Sequence, residues 1–124
     1  MPRAARVLAV DDESQILETL TEFLELRGYE VLTAQNAGDA FMILAVTPAD
    51  VVLLDVAMPG IDGVTALRRI RESHPELPVI MLTANADLAL ARDTLKRGAF
   101  DYVAKPFDFD HLAQVVEAAV AHLP

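Results

Sequence analysis

The sequence predicts an α/β fold in which a doubly wound parallel sheet of five strands is covered by five helices. Three observations support this prediction. Short apolar runs of strand length end abruptly in polar residues, each run is followed by a segment with helical spacing, and this alternation occurs five times within 124 residues. Successive strand–helix units form a parallel sheet with right-handed crossovers, which places helices on both of its faces.

The first strand is predicted at residues 5–10, an apolar run that stops at a group of acidic residues. The first helix is predicted at about residues 14–27, where Ser14 can cap the start and Gly28 is placed to end the helix. Its apolar stripe consists of Ile16, Leu17, Leu20, Phe23 and Leu24. Residues 29–34 are predicted to form the second strand.

The second and third units are marked by capping and turn residues. Asn36, with Asp39 three positions later, is a capping signal for a second helix that stops before Pro48. The third strand is predicted at residues 51–55, and the turn residues at 58–60 follow it at once. The stripe of the third helix consists of Val64, Leu67 and Ile70.

The remaining elements follow the same pattern. The third helix is expected to end in the region of residues 74–75, before a fourth strand at residues 78–83. A fourth helix is predicted at about residues 87–97 with Gly98 past its end, and a fifth strand at residues 100–104. The last helix has one apolar stripe, formed by Leu112, Val115, Val116, Ala119, Val120 and Leu123.

Composition limits the classes of function. We expect one domain over residues 1–124, because this length with 53% hydrophobic residues supplies a single core of ordinary size. No apolar run reaches the roughly 18 residues that a membrane span needs, and the chain has no cysteine, so we expect a cytoplasmic protein without membrane contact. The formal charge of −9 argues against direct nucleic-acid binding by this domain.

Acidic residues follow two of the predicted strands. Asp11 and Asp12 come after the first strand, and Asp55 closes the third. Because ligands bind at the carboxyl edge of open parallel sheets, we expect these three carboxylates to converge there. Two carboxylates about 4 Å apart repel by on the order of 4 kcal/mol at an effective dielectric constant of about 20. We therefore expect the three carboxylates to bind a cation. With oxygen ligands only, the predicted ion is Mg²⁺.

Two further strand ends add a hydroxyl and an ammonium group. Thr83 closes the fourth strand and Lys105 follows the fifth. A carboxylate such as Asp55 can attack phosphorus and form an acyl phosphate, while Lys105 offsets phosphoryl charge and Thr83 donates a hydrogen bond. Taken singly, these residues are explained as helix caps, turn residues or solvated side chains. Their placement at four different strand ends predicts phosphoryl transfer to Asp55.

The segments that carry these residues resemble a response-regulator receiver domain of two-component signal transduction, and the resemblance covers essentially the whole chain. The matching segments are VDDE at residues 10–13, LLDVAMPGIDG at 53–63, LTA at 82–84 and GAFDYVAKPF at 98–107. The resemblance implies a flavodoxin-like strand order, 2-1-3-4-5. The chain is thus expected to be a signalling domain, and not an enzyme beyond its own phosphoryl transfer and autodephosphorylation.

The resemblance also implies a ligand set. Asp55 would be the phosphoacceptor and a metal ligand. Asp12 would bind Mg²⁺ directly, Asp11 through a water molecule, and Ala57 through its backbone carbonyl. Asn85, two residues after the predicted hydroxyl, and Ala57 would tune the lifetime of the phosphoryl group.

A switch is implied as well. Thr83 and Lys105 would contact the phosphoryl group, and the Lys105–Pro106 peptide would be cis. After phosphorylation, Thr83 would move toward the new oxygens and the ring of Tyr102 would turn inward. The surface of helix 4, strand 5 and helix 5 would then dock an output domain, a partner or a second copy of the domain. The implied phosphoryl donor is a sensor histidine kinase or a histidine phosphotransfer protein.

Three other interpretations use the same residues. A phosphoaspartyl hydrolase of the haloacid dehalogenase type would need a second aspartate two positions after Asp55, where this chain has Ala57. A flavodoxin-like electron carrier would need a phosphate-binding loop after the first strand, where this chain has three acidic residues. A receiver-like interaction module that does not use phosphate stays open as the alternative function.

Overall fold

The computed structural model describes residues 4–122, with the side chain of Asn85 left out of the description. Five strands form one parallel sheet in the order β2-β1-β3-β4-β5, which confirms the predicted architecture. The strands are β1 (Arg6–Val10), β2 (Glu30–Ala34), β3 (Val51–Asp55), β4 (Val79–Thr83) and β5 (Asp101–Ala104).

Five helices connect and follow the strands. They are α1 (Ser14–Leu26), α2 (Ala37–Val46), α3 (Gly63–Ser73), α4 (Leu88–Lys96) and α5 (Phe109–Ala121). A single 3₁₀ turn, Asn85–Asp87, precedes α4. Residue Leu123 of the predicted stripe in the last helix lies outside the described residues. None of the helices within residues 4–122 is long and apolar enough to cross a membrane.

The hydrophobic core has two layers, one on each face of the sheet. Along β1, Leu8 and Val10 pack with α2, α3 and α4, whereas Val7 and Ala9 pack with α1 and α5. This division follows from the alternation of side chains along a strand. Every residue of β3 and β4 is buried because helices cover both faces, which explains why these strands are apolar up to their last residues, Asp55 and Thr83.

The cap predicted for α2 is confirmed, and the cap predicted for α1 is wrong. The Asn36 side chain accepts a hydrogen bond of 2.8 Å from the backbone N–H of Asp39. In α1, however, Ser14 is already the first helical residue, and Glu13 occupies the N-cap position with extended backbone and no capping side-chain bond. The Asp11 carboxylate accepts the Glu13 backbone N–H at 2.9 Å, so an acidic residue of the β1–α1 loop orders the backbone before the helix.

Element ends differ from the prediction by one or two residues. The helix α1 ends at Leu26, and β2 begins at Glu30 because the Tyr29 N–H donates to the Leu24 carbonyl and still belongs to the helix end. Gly28 and Gly98 follow α1 and α4 with φ of 90° and 101°, the left-handed conformation that favours glycine at helix ends. The first, fourth and fifth strands each begin one residue later than predicted.

Candidate functional site

The carboxyl ends of four strands bring the predicted site residues together. Asp55 is the last residue of β3 and Thr83 the last of β4, while Asp11 and Lys105 immediately follow β1 and β5. These strands are adjacent in the sheet, so residues distant in sequence become neighbours. The Lys105 backbone N–H donates to the Thr83 carbonyl at 2.7 Å, which extends the pairing of β4 and β5 to the site.

Lys105 is the cation of this site. Its Nζ lies 2.7 Å from Asp11 Oδ2 and 3.5 Å from Asp55 Oδ2, and its side chain is only 15% exposed. The Lys105–Pro106 peptide bond is cis, as the resemblance implied. The ammonium group therefore contacts two buried carboxylates that would otherwise repel each other.

The three carboxylates of Asp11, Asp12 and Asp55 form a compact group. One oxygen from each lies within 4.8 Å of the others, with Asp11 and Asp55 buried and Asp12 exposed. Backbone donors orient one oxygen of each buried residue: Asp11 Oδ1 accepts from Glu13 N–H at 2.9 Å, and Asp55 Oδ1 accepts from Ala57 N–H at 3.2 Å. These three carboxylates converge on a point that is open to solvent on the Asp12 side. They supply oxygen ligands of the kind that Mg²⁺ binds.

Burial and a neighbouring negative charge change the pKa of Asp55. Burial, together with the negative charge of Asp11, raises the pKa of Asp55 from 3.8 to about 6, although Lys105 and the Ala57 N–H oppose this rise. At Lys105, burial acts to lower the pKa, but the hydrogen bond and charge of Asp11 outweigh it and the pKa is raised. Near neutral pH the site therefore contains a charged Lys105 beside a largely ionised Asp55.

The family model described as the response regulator receiver domain matches residues 7–117. The chain belongs to this family. Receiver domains are signalling domains of two-component systems, so this membership decides against the hydrolase and the electron carrier. The fold class and the family inferred from the sequence are both confirmed.

Curated relatives that are similar to this chain include regulatory proteins. The DNA-binding transcriptional regulator NtrC of Salmonella typhimurium is 42% identical over 116 residues, which cover 94% of this chain and 25% of NtrC. The regulatory protein AtoC of Escherichia coli is 42% identical over 115 residues, covering 93% of this chain and 25% of AtoC. The receiver domain thus spans about a quarter of the length of these relatives.

Solved structures show the same fold. A response regulator receiver domain protein from Clostridium thermocellum superposes with a TM-score of 0.89 at 37% identity, covering 94% of each chain. NtrX from Brucella abortus, solved in complex with ADP, gives a TM-score of 0.92 at 36% identity, covering 95% of this chain and 27% of NtrX.

Not every predicted residue of the receiver domain contacts the carboxylates. Thr83 is fully buried, and its Oγ1 donates a hydrogen bond of 3.0 Å to the neighbouring Ala84 carbonyl. Tyr102 is partly buried against the cluster under α2, α3 and α4, and it pairs with Met81 in the sheet. The backbone of Asn85 begins the 3₁₀ turn after β4, and Ala57 is exposed beside Asp55.

Gly63 is a residue of the site that the sequence reasoning missed. It begins α3, and its N–H donates to the Val56 carbonyl at 3.0 Å. A Cβ atom at this position would lie 2.4 Å from the backbone oxygen of Asp55. The sequence could have indicated only the start of α3, since Asp62 is the N-cap and accepts a hydrogen bond from Thr65 N–H at 2.8 Å. The start of α3 therefore packs directly on the backbone that carries Asp55.

Proposed function

We propose that this receiver domain accepts a phosphoryl group on Asp55 from a sensor histidine kinase or a histidine phosphotransfer protein, and that the modified site changes a docking surface. The observation that supports this most directly is the placement of Asp55, a buried carboxylate 3.5 Å from the Lys105 ammonium and beside two further carboxylates. Groups of this kind stabilise a transferring phosphoryl group by charge and position.

Asp11, Asp12, Asp55 and the backbone carbonyl of Ala57 would hold Mg²⁺ in the working protein. The bound ion would offset negative charge on the phosphoryl oxygens. The donor set fits, because these groups are all oxygen ligands and the three carboxylates converge within 4.8 Å. Asp11 contacts Lys105 at 2.7 Å, which agrees with Asp11 binding the ion through a water molecule. Asp12, Asp55 and the Ala57 carbonyl would then bind the ion directly.

The reaction needs little beyond these groups. A carboxylate oxygen of Asp55 forms a bond to phosphorus while the phosphorus–nitrogen bond to the donor histidine breaks, and the histidine keeps the electron pair. The pKa of about 6 gives Asp55 a more basic carboxylate that is still largely ionised near neutral pH. Lys105 holds its positive charge next to the new phosphoryl oxygens, and Thr83 can turn its hydroxyl toward them. The same site would later release the phosphoryl group to water.

Phosphorylation would be read out on the α4-β5-α5 surface. The acyl phosphate carries about −1.5 to −2 charges in place of the single negative charge of the ionised Asp55 carboxylate. This change favours movement of the Thr83 hydroxyl toward the phosphoryl oxygens and rotation of Tyr102 into the space that the hydroxyl leaves. On α4, Leu90 and Leu95 are 40% and 39% exposed, so apolar side chains are available for a partner or a second copy.

The output is inferred from the relatives. NtrC of Salmonella typhimurium is a DNA-binding transcriptional regulator, and this chain matches about a quarter of its length. We infer that the domain controls transcription in the cytoplasm through another domain or partner, because its own charge of −9 disfavours contact with nucleic acid.

The first test is the intact mass of the protein after incubation with acetyl phosphate. With Mg²⁺ we expect one labile phosphoryl adduct, and with excess chelator we expect none. A receiver domain known to accept acetyl phosphate serves as the control for donor activity. Absence of any adduct on correctly folded protein, with a positive control, would contradict the proposal and favour the phosphate-independent interaction module.

Tyr102→Ala should separate phosphorylation from readout. We expect the extent of adduct formation to stay largely unchanged, because Tyr102 does not contact the carboxylates, while partner binding or dimerisation of the phosphorylated protein falls by about tenfold, a change of about 1.4 kcal/mol. Tyr102→Phe, which retains the ring, is the matched control. Equal association of phosphorylated wild-type and Tyr102→Ala protein would refute the role of the ring.

Ala57 and Asn85 are expected to set the lifetime of the phosphoryl group. Ala57→Asn and Asn85→Ala should each change the decay rate by up to about tenfold, corresponding to about 1.4 kcal/mol in the barrier, without preventing phosphorylation. The measurement is the decay of the adduct by mass after removal of acetyl phosphate. Ala118→Asn, an exposed change on α5, is the control, and decay rates equal to wild type in both site variants would count against this role.

A further inference from the structure

The helices on the two faces of the sheet carry opposite charge. Within their bounds, α1 and α5 contain five acidic residues and no lysine or arginine. By contrast, α3 and α4 contain five basic and two acidic residues, although the whole chain has a formal charge of −9. The positive charge of this acidic protein is therefore concentrated on one part of its surface.

Three arginines of this basic region line a single cleft. The cleft has a volume of about 280 Å³ and lies between α3 and the end of α4. Its lining residues are Val64, Thr65, Arg68, Arg71, Glu72 and Arg97. Two guanidinium groups come from α3 and the third follows α4, so the packing of two helices brings them together. The site does not include Asp55, Lys105 or any other residue of the phosphoacceptor site.

The arginines retain unused hydrogen-bond donors. Arg97 Nε pairs with Asp93 Oδ2 at 2.8 Å, and Arg68 Nε is 3.9 Å from Glu72 Oε1, with both pairs on exposed parts of their helices. Each guanidinium has five N–H donors, so one carboxylate contact leaves most of them free. Exposed pairs of this kind are weak and can rearrange around a stronger anion.

Arg71 is the least exposed of the three arginines that line the cleft. It is half-buried, and within residues 4–122 no carboxylate oxygen lies within ion-pair distance of it. Its side chain runs beside Gly98, because a Cβ atom at that position would lie only 3.0 Å from Arg71 Nε. Gly98 thus leaves the space that places this guanidinium between α3 and α4.

We propose that this cleft is a binding site for a phosphate-type oxyanion of the pyrophosphate class. A planar carboxylate matches one guanidinium fork, and the existing pairs with Glu72 and Asp93 each use a single Nε atom. A tetrahedral phosphate group has oxygens in several directions and can accept from more than one guanidinium, and a second phosphate adds the charge needed in the presence of two acidic neighbours.

The test is a titration of the full, ¹⁵N-labelled chain with sodium pyrophosphate in buffer free of Mg²⁺, followed by two-dimensional NMR. We expect saturable shifts of the amides of Thr65, Arg71 and Gly98, with smaller changes at Asp55 and Lys105. Succinate, a dianion with two carboxylates, should bind more weakly than pyrophosphate. Absence of saturation, shifts centred on Lys105, or equal or tighter binding of succinate would overturn the proposal.

Substitutions of two arginines on α3 distinguish binding in the cleft from general attraction between the anion and the basic surface. Arg71→Ala should weaken pyrophosphate binding by about tenfold, since it removes charged hydrogen bonds, and Arg71→Lys should weaken it because the planar fork is lost. Arg69→Ala removes the same charge from α3, but Arg69 lies over the Phe41 ring in a different groove, so binding should change less than about twofold. Equal weakening by Arg69→Ala and Arg71→Ala would overturn the proposal. The spectra of each variant also report whether it is folded.

Discussion

Replacement of Asp55 with asparagine is expected to abolish the phosphoryl adduct formed with acetyl phosphate and Mg²⁺. Asparagine has nearly the same shape, so the neighbouring backbone can stay in place, but its amide is not a nucleophile toward phosphorus. The intact mass of the variant should therefore equal that of the untreated protein under conditions in which the wild type is modified.

Asp110→Asn is the matched control for this result. It makes the same chemical change at an exposed position in the first turn of α5, and it should leave the adduct unchanged. Retention of a full adduct on Asp55→Asn would show that another residue accepts the phosphoryl group. The neighbouring Asp11 and Asp12 would then be the first residues to examine by peptide mapping.

The same substitution is expected to stabilise the unphosphorylated domain at neutral pH. Because the folded protein raises the pKa of Asp55 from 3.8 to about 6, its carboxyl group binds a proton more tightly when folded than when unfolded. The associated stability is present below about pH 4 and is lost as the pH rises through about 6. At pH 7 the ionised group costs at most about 3 kcal/mol, which Asp55→Asn removes.

Urea unfolding without Mg²⁺ at about pH 4 and pH 7 measures this effect. The free energy of unfolding of Asp55→Asn should exceed that of the wild type at the higher pH and approach it at the lower pH. Added Mg²⁺ should stabilise the wild type more than the variant, because the metal neutralises the same carboxylate. A variant less stable than the wild type at both pH values would contradict the proposed electrostatic cost.

Among the substitutions proposed for this protein, Gly63→Ala is expected to cause the largest loss of stability. The added Cβ would lie 2.4 Å from the Asp55 carbonyl oxygen and 2.7 Å from both Cα and the carbonyl oxygen of Val56. All three are backbone atoms of the segment that leaves β3, so no side-chain rotation can relieve the overlap. We expect a decrease of about 3 kcal/mol or more in the free energy of unfolding, at the upper end of overpacking effects.

Gly38→Ala is the control for Gly63→Ala. At Gly38, in the first turn of α2, the nearest atom to an added Cβ is the Asn36 side-chain oxygen at 3.4 Å. Alanine is also the better helix former, so this variant should be neutral or more stable by up to about 1 kcal/mol. The urea midpoint should therefore fall for Gly63→Ala and stay unchanged or rise for Gly38→Ala. A Gly63→Ala midpoint at or above that of the wild type would refute the steric argument.

Much of the fold and of the site could be predicted from the sequence because the relevant signals are local. Apolar runs locate the strands, and the polar residue that ends each run, such as Asp55 or Thr83, must then lie at the carboxyl edge of a parallel sheet. The Asn36 cap and the helix-ending positions of Gly28 and Gly98 depend only on nearby backbone, so these predictions agree with the structure.

Other features depend on atoms that are distant in sequence. Ser14 fails as a cap because the Asp11 carboxylate, held at the end of β1, orders the backbone at Glu13. Gly63 is needed for space and not for an unusual φ, since its Cα packs on the backbone at Asp55, and no local pattern reports that approach.

By itself, the sequence determined which chemical groups this receiver domain brings to one edge of its sheet, because strand ends and periodicity are encoded by neighbouring residues. Only the tertiary structure decided how those groups interact, through the closer contact of Lys105 with Asp11 than with Asp55 and the raised pKa of Asp55. The tertiary structure also brought together the arginines between α3 and α4. The physical reason is that burial, electrostatic pairing and steric fit depend on distances through space, which strand order and helix packing set together.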